Sequence, residues 1–392
     1  MDRLDMTKLA VSIGYSPLAL DMLNFALDLY QQLRPAEGNL FFSPYSISTA
    51  LAMTFAGARG ATAEQMRQVL HFSSETEQLH QSFSALEEHM DQIKRKGGVQ
   101  LKIANALWPH STYIFLKDYL DLVEQHYLAS ISGLNYADPG AARARINDWV
   151  ALKTEQKIKN LIPPGILNKL TRLVLTNAIY FKGDWASQFD PLYTQLAPFW
   201  VASGESIAVS MMYQEGKFGY CKDSDVQILE LPYFGDELSM VILLPNEVDG
   251  LMALEQRLTA ENLVRWIWLV STNEREVELA LPRFKQSCTF KLGEILMSMG
   301  MVDAFSQTSA NFSGMDGTMK LYISAVLHKA FVAVNEEGTE AAAATAVVVK
   351  MRSLPEAPVI FCADHPFIFI IREKSSGSIL FLGRVVRPTE SD

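Results

Sequence analysis

From Leu173 to Phe181 the chain is apolar except at Thr176 and Asn177, and from Met240 to Leu244, just before Pro245, it is apolar throughout. A strand with one face in water alternates apolar and polar residues, so runs without alternation belong to strands covered on both faces. Pro366 to Arg372 and Ile379 to Gly383 supply two more, separated by the turn residues Ser375-Ser376-Gly377. The first third reads differently. Leu23, Ala26, Leu27 and Tyr30 recur at helical spacing. Ser43-Pro44 is an N-cap followed by a first-turn proline, opening a helix through Ala50 and Met53. Thr62 with Gln65 three residues on matches a capping box for the next helix. Leu79, Phe83, Leu86, Met90 and Ile93 form a longer stripe that ends at Lys94-Arg95-Lys96-Gly97-Gly98, cations and glycine where a helix C-terminus favours them. Val99, Leu101 and Ile103 then alternate as a half-buried strand, and a helix follows around Ile146, Trp149 and Val150. Helices first and strands later predict an α+β protein with large sheets.

The 392 residues are 49% hydrophobic and 20% charged, with a mean hydropathy of +0.07, enough apolar material for a large core. No linker-like stretch divides them, so one domain over 1–392 is expected. A net charge of −10 gives no basic face for nucleic acid. No apolar run reaches the ~18 residues of a membrane span, and Met1-Asp2-Arg3-Leu4-Asp5 begins no signal peptide. If Met1 is the natural start, a cytoplasmic or unconventionally secreted protein is expected; otherwise an extracellular one is. The sequon Asn311-Phe312-Ser313 would be a glycosylation acceptor only in a secreted form. Cys221, Cys288 and Cys362 are too far apart for a zinc motif and odd in number for a disulfide framework. The histidines, His80 and His89 among them, show no ligand spacing, and no GxSxG, HExxH, phosphate-loop or dinucleotide motif occurs. Neither an enzyme nor a metal or cofactor site is expected.

One segment resists a single assignment. After the strand-like Ala330 to Val334 come Glu336-Glu337-Gly338-Thr339-Glu340-Ala341-Ala342-Ala343-Ala344-Thr345 and then Val347-Val348-Val349. The alanines favour helix, the valines and threonines strand. Lys350, Arg352, Ser353, Pro355 and Pro358 continue as an exposed loop. Read with period two, Thr339, Ala341, Ala343, Thr345, Val347 and Val349 share one face, all small or β-branched. Such a face suits a strand that slides between two others, so the segment can be a loop in one state and a central strand in another.

This segment resembles the hinge of the serpin family in its inhibitory form. Ala363-Asp364-His365-Pro366-Phe367 and Leu382-Gly383-Arg384 are similar to the family's C-terminal strands. Asn39-Leu40-Phe41-Phe42-Ser43-Pro44-Tyr45-Ser46-Ile47 and Leu175-Thr176-Asn177-Ala178-Ile179-Tyr180-Phe181-Lys182-Gly183-Asp184-Trp185 match two further motifs. The resemblance runs from about residue 22 to 388. It implies an α+β serpin fold of about nine helices around three β-sheets, with hinge and reactive-centre loop at about 336–360. It also implies a bait bond fourteen positions after Gly338, at Arg352-Ser353, with Lys350 a second basic candidate.

Arginine at that position implies a trypsin-like serine protease as partner, since such enzymes hold an acidic residue in their specificity pocket. The protein is then a suicide inhibitor and a monomer. Ser43, Ser46, Asn177 and His328 resemble the polar cluster where the family's main sheet parts, and Trp185 the tryptophan at the top of that opening. Lys94, Arg95 and Lys96 lie near the helix some serpins use for heparin, although cations at a helix C-terminus explain them equally well. Two rivals remain. A non-inhibitory serpin, acting as carrier or chaperone-like binder, usually spoils the hinge with a bulky or charged residue or a proline, and the inner face of this hinge, Thr339 to Val349, carries none. A hydrolase would need a nucleophile elbow that is absent.

Overall fold

The computed structural model describes residues 10–12, 14–127, 129–338 and 357–390. The expected bait residues Arg352 and Ser353, and the hinge residues Thr339, Glu340, Ala341, Ala342, Ala343, Ala344 and Thr345, lie outside the described residues. Helices dominate the first third: α1 (Pro17–Leu33), α2 (Pro44–Gly57), α3 (Gly60–Val69), α4 (Thr76–Lys96), α5 (Lys117–Tyr127) and α6 (Pro139–Lys153). Later ones include α7 (Leu251–Arg257) and α8 (Ala260–Thr272).

Five strands build one sheet: β2 (Val99–Pro109), β3 (Ser130–Ile131), β4 (Leu173–Gly183), β10 (Phe284–Lys291) and β11 (Ile323–Val334), numbered along the chain and ordered β10-β11-β4-β2-β3. The rest are β1 (Leu40–Phe42), β5 (Gln195–Ala202), β6 (Glu205–Asp223), β7 (Val226–Pro232), β8 (Leu238–Pro245), β9 (Glu274–Pro282), β12 (Val359–Cys362), β13 (Phe367–Glu373) and β14 (Ile379–Val385). These follow the path β1-β14-β13-β8-β7-β6-β9-β12, with β5 pairing to β6.

The α+β architecture is as expected, with one refinement. Among the described residues, two of the three anticipated sheets are joined by the 19-residue strand β6. Its first part pairs with β5 and β9, its last five residues with β7.

The apolar runs explain the layering. All of β8, β13 and β14 is buried, and β4 is buried except at Lys182. Helix α2 lies between the two sheets with all its residues buried. Helix α6 covers the other face of the five-stranded sheet, Ile146 and Val150 packing with Trp108, Val174, Ala178 and Leu327.

The proposed capping box at Thr62 and Gln65 is not one. Helix α3 begins earlier, at Gly60, and its N-cap Arg59 makes no side-chain cap. Thr62 Oγ1 instead accepts from the Asn311 N–H (3.0 Å) and Gln65 Oε1 from the Asp303 N–H (2.7 Å). Tertiary donors outcompeted the local pattern.

Candidate sheet-opening site and hinge

Strands β4 and β11 are neighbours and run parallel, in register from Ile323 opposite Leu173 to Phe331 opposite Tyr180. Two strands on the far sides complete the local sheet: β2 is antiparallel to β4, and β10 antiparallel to β11. Halfway along this seam the sheet is crossed by a polar line. Asn105 of β2 stands opposite Asn177 of β4, which stands opposite His328 of β11.

All three are buried, with the start of α2 packed over them. The Ser43 N–H donates to His328 Nε2 at 3.1 Å, which leaves the imidazole proton on Nδ1. That proton bonds Asn177 Oδ1. Asn177 Nδ2 donates to the Ser46 carbonyl (2.7 Å), to Ser46 Oγ (2.5 Å) and to Asn105 Oδ1. Ser43 Oγ caps α2, accepting from the Ser46 N–H at 3.1 Å, and donates to the Leu380 carbonyl of β14 at 2.6 Å.

Every member thus has partners, as buried polar groups require. Burial pushes the His328 imidazole down to about 3, against a smaller opposing effect of its bond to Asn177. A neutral ring is what the network needs: a second ring proton would leave the Ser43 N–H facing a donor.

The hinge lies at the end of the same seam. Ladder pairing between β4 and β11 stops at Tyr180 and Phe331, so Phe181–Gly183 and Val332–Val334 each keep a partner on one side only. Past Val334 the chain turns back on itself: the Asn335 N–H donates to the Gly338 carbonyl (2.8 Å) and the Gly338 N–H to the Asn335 carbonyl (3.3 Å). Gly338 bridges antiparallel to Asp184 on one side and to Asn335 on the other. It therefore lies between the residues that extend β4 and β11.

Only glycine fits. Its φ is +141°, and a Cβ would stand 2.1 Å from the Gly183 carbonyl oxygen.

Trp185 holds this corner from outside. Its N–H donates to the Glu337 carbonyl and its Nε1 to the Asn335 carbonyl, each at 3.0 Å, while its ring stacks on Tyr233 at 4.6 Å. Glu336 is pinned as well. Its carboxylate accepts from Arg283 Nε (2.7 Å), from Arg283 Nη2 and from Thr194 Oγ1. Burial alone would raise this carboxyl; the Arg283 and Thr194 bonds outweigh it and hold the group below the usual carboxylate range.

A buried polar cluster of Ser43, Ser46, Asn177 and His328 near a glycine hinge is what the serpin resemblance implies, and sequence comparison decides the family. The family model Serpin (serine protease inhibitor) matches residues 21–388. The chain is a serpin. It is 44% identical to Serpin B4 of Homo sapiens over 383 residues, covering 93% of this chain and 97% of that one. It is 45% identical to the leukocyte elastase inhibitor of Homo sapiens over 375 residues, covering 93% and 97%. Uncleaved ovalbumin superposes with a TM-score of 0.85 at 34% identity, over 95% of this chain and all of that one. Serpin48 of the insect Tenebrio molitor gives 0.84 at 33%, over 95% and 98%. Membership sets this serpin among protease inhibitors rather than enzymes.

The remaining sequence candidates fall outside the seam. Lys94 pairs with Asp91 and Lys96 with Glu237, while Arg95 is exposed on a surface that also carries Glu87, Glu88 and Asp91. Two of the three cations are thus already neutralised. Asn311 is half-buried, its Oδ1 accepting from the Ser313 N–H at 3.2 Å. The cysteines are free, and burial raises the Cys221 and Cys362 thiols to about 11, which makes them poor nucleophiles. Sequence reading missed Asn105 and the Glu336–Arg283 pair. For Asn105 a signal existed: it falls in phase with Val99, Leu101 and Ile103, an amide on an apolar face. Arg283 carried none.

Proposed function

We propose that this serpin is a suicide inhibitor of trypsin-like serine proteases. Working as one unit over 1–392, it offers Arg352-Ser353 as bait. The protease attacks the bond and forms an acyl-enzyme. The freed segment from Thr339 to Lys350 then enters the five-stranded sheet between β4 and β11, carrying the protease with it.

One observation supports this reading above the others: Gly338 is paired antiparallel between Asp184 and Asn335. A chain continuing straight from there runs antiparallel to both β4 and β11. The lengths agree, since Thr339–Lys350 has 12 residues against 11 in β4 and 12 in β11. Insertion would replace one parallel interface by two antiparallel ones, which are somewhat more stable per residue. A dozen new backbone hydrogen bonds at roughly 0.5–1.5 kcal/mol each give on the order of 10 kcal/mol. That is comparable to the stability of a folded domain, so distorting a protease active site is within reach.

The specificity rests on Arg352. The relatives named as leukocyte elastase inhibitors point to an enzyme class whose pocket is small, into which an arginine does not fit. Incubation with trypsin and with leukocyte elastase separates the two. A covalent complex on a denaturing gel with trypsin alone, and a released peptide beginning at Ser353, is the expected result. A complex with elastase alone, or cleavage at another bond, contradicts the assignment.

A further inference from the structure

If the loop enters the sheet at Gly338, the first closed rung it meets is Tyr180 opposite Phe331, where ladder pairing between β4 and β11 begins. The rings of that rung stack across the seam, 5.7 Å between centroids and 23° between planes. No other β4–β11 rung in the described register pairs two aromatic residues; its neighbours are Ile179 with Ala330 and Ala178 with Lys329. The segment following α6 adds a third member, with Lys157 Nζ 5.2 Å from the centre of the Tyr180 ring. Below the stack the seam has its polar line, whose bonds an incoming backbone can exchange for its own. Above it the two strands are already unpaired toward each other.

We infer that Tyr180, Phe331 and Lys157 form a clasp that sets how fast the seam parts, and so which fraction of attacked molecules trap the protease instead of being released as cleaved product. These are positioning residues and touch no reacting atom. Offset aromatic stacking and a cation over a ring are both attractive beyond the area they bury, and both are lost when β4 and β11 separate. Releasing them lowers the barrier to opening. Faster insertion then competes better with hydrolysis of the acyl-enzyme. The inference rests on the loop-insertion reading above.

The test has two readouts: the rate at which the intact protein takes up a synthetic peptide copying Thr339–Lys350, and the ratio of covalent complex to cleaved protein formed with trypsin. Phe331→Ala should take up peptide roughly 2- to 10-fold faster and shift the ratio toward complex. Lys157→Gln, a change at an exposed side chain, should act in the same direction by roughly 2- to 5-fold. Phe331→Tyr, which keeps the stack, should behave as the parent. A merely structural Phe331 would lower the denaturant midpoint without moving the ratio, and Lys157→Gln would move neither readout. Uptake and ratio unchanged in both Phe331→Ala and Lys157→Gln, while the parent inserts normally, overturns the clasp and leaves the inhibitor reading standing. A parent that takes up no peptide and forms no complex removes both.

Discussion

Two strand pairs in this serpin are built from equally apolar sequence and are put together differently. Strands β13 and β14 are antiparallel and buried throughout, and β13 is flanked on its other side by antiparallel β8. Phe41 stacks on both Phe369 and Phe381 across them, at 5.6 and 5.1 Å. Strands β4 and β11 are parallel, crossed by an Asn105–Asn177–His328 line of buried polar side chains, and unpaired toward each other at the hinge end. The first pair has nothing to gain by parting. On the proposed mechanism the second takes in one more strand, starting beside Gly338. By the same mechanism the first pair is permanent and the second provisional, and what distinguishes them is strand direction and the unpaired hinge end, not hydrophobicity.

The contrast can be broken most severely at the hinge. Thr339→Arg puts a charge on the face that would lie against the sheet interior, where an unpaired ion costs several kcal/mol. We expect trypsin to cleave this variant as a substrate, with covalent complex lost from a denaturing gel; a persisting complex would show that residue 339 never enters the sheet. Next in size is Phe369→Ala in the permanent sheet. It should cost about 3–5 kcal/mol in denaturant unfolding while leaving the ratio of complex to cleaved product unchanged. A shift in that ratio would mean the two sheets are not independent.

Asn177→Ala in the provisional seam should cost less, about 1–3 kcal/mol, because it strands the His328 Nδ1–H and the acceptors of Ser46 and Asn105. Unlike the phenylalanine change, it should also alter the peptide-uptake rate.

An effect of similar size is one of pH. The folded His328 ring titrates near 3 against an ordinary 6.5, so the unfolded chain binds a proton the folded chain refuses. Its contribution to stability is complete above about pH 6.5 and is lost progressively as pH falls from there toward 3. Between pH 7 and 5 the loss is on the order of 2 kcal/mol. Unfolding curves at the two values should differ less for His328→Gln than for the parent by about that amount. Equal differences would mean the ring is not held neutral.

Much of this was legible in the residues. Unbroken apolar runs gave β4, β8, β13 and β14, because no alternation meant no face in water. The stripe from Leu79 to Ile93 gave α4, and Ser43-Pro44 gave the start of α2. Asn177 and His328 were visible as polar residues in apolar surroundings. Their pairing was not, since register across a parallel seam is set by chain segments about 150 residues apart. Thr62 and Gln65 misled because a capping box is a local pattern and their partners are tertiary. The Glu336–Arg283 pair left no trace, because a charged residue in a sequence carries no sign of its future burial. The role assigned to Gly338 came from the resemblance of its motif to the serpin hinge, the bait bond at Arg352 from counting on from it, and its geometry from the turn that a Cβ would block.

The most direct measurement is the melting temperature before and after a single cut between Arg352 and Ser353. Release of the bait end should let Thr339–Lys350 join β4 and β11, and a gain on the order of 10 kcal/mol would raise the midpoint by about 10 degrees or more. A cut protein that melts at the same temperature as the intact one would mean that the seam never opens.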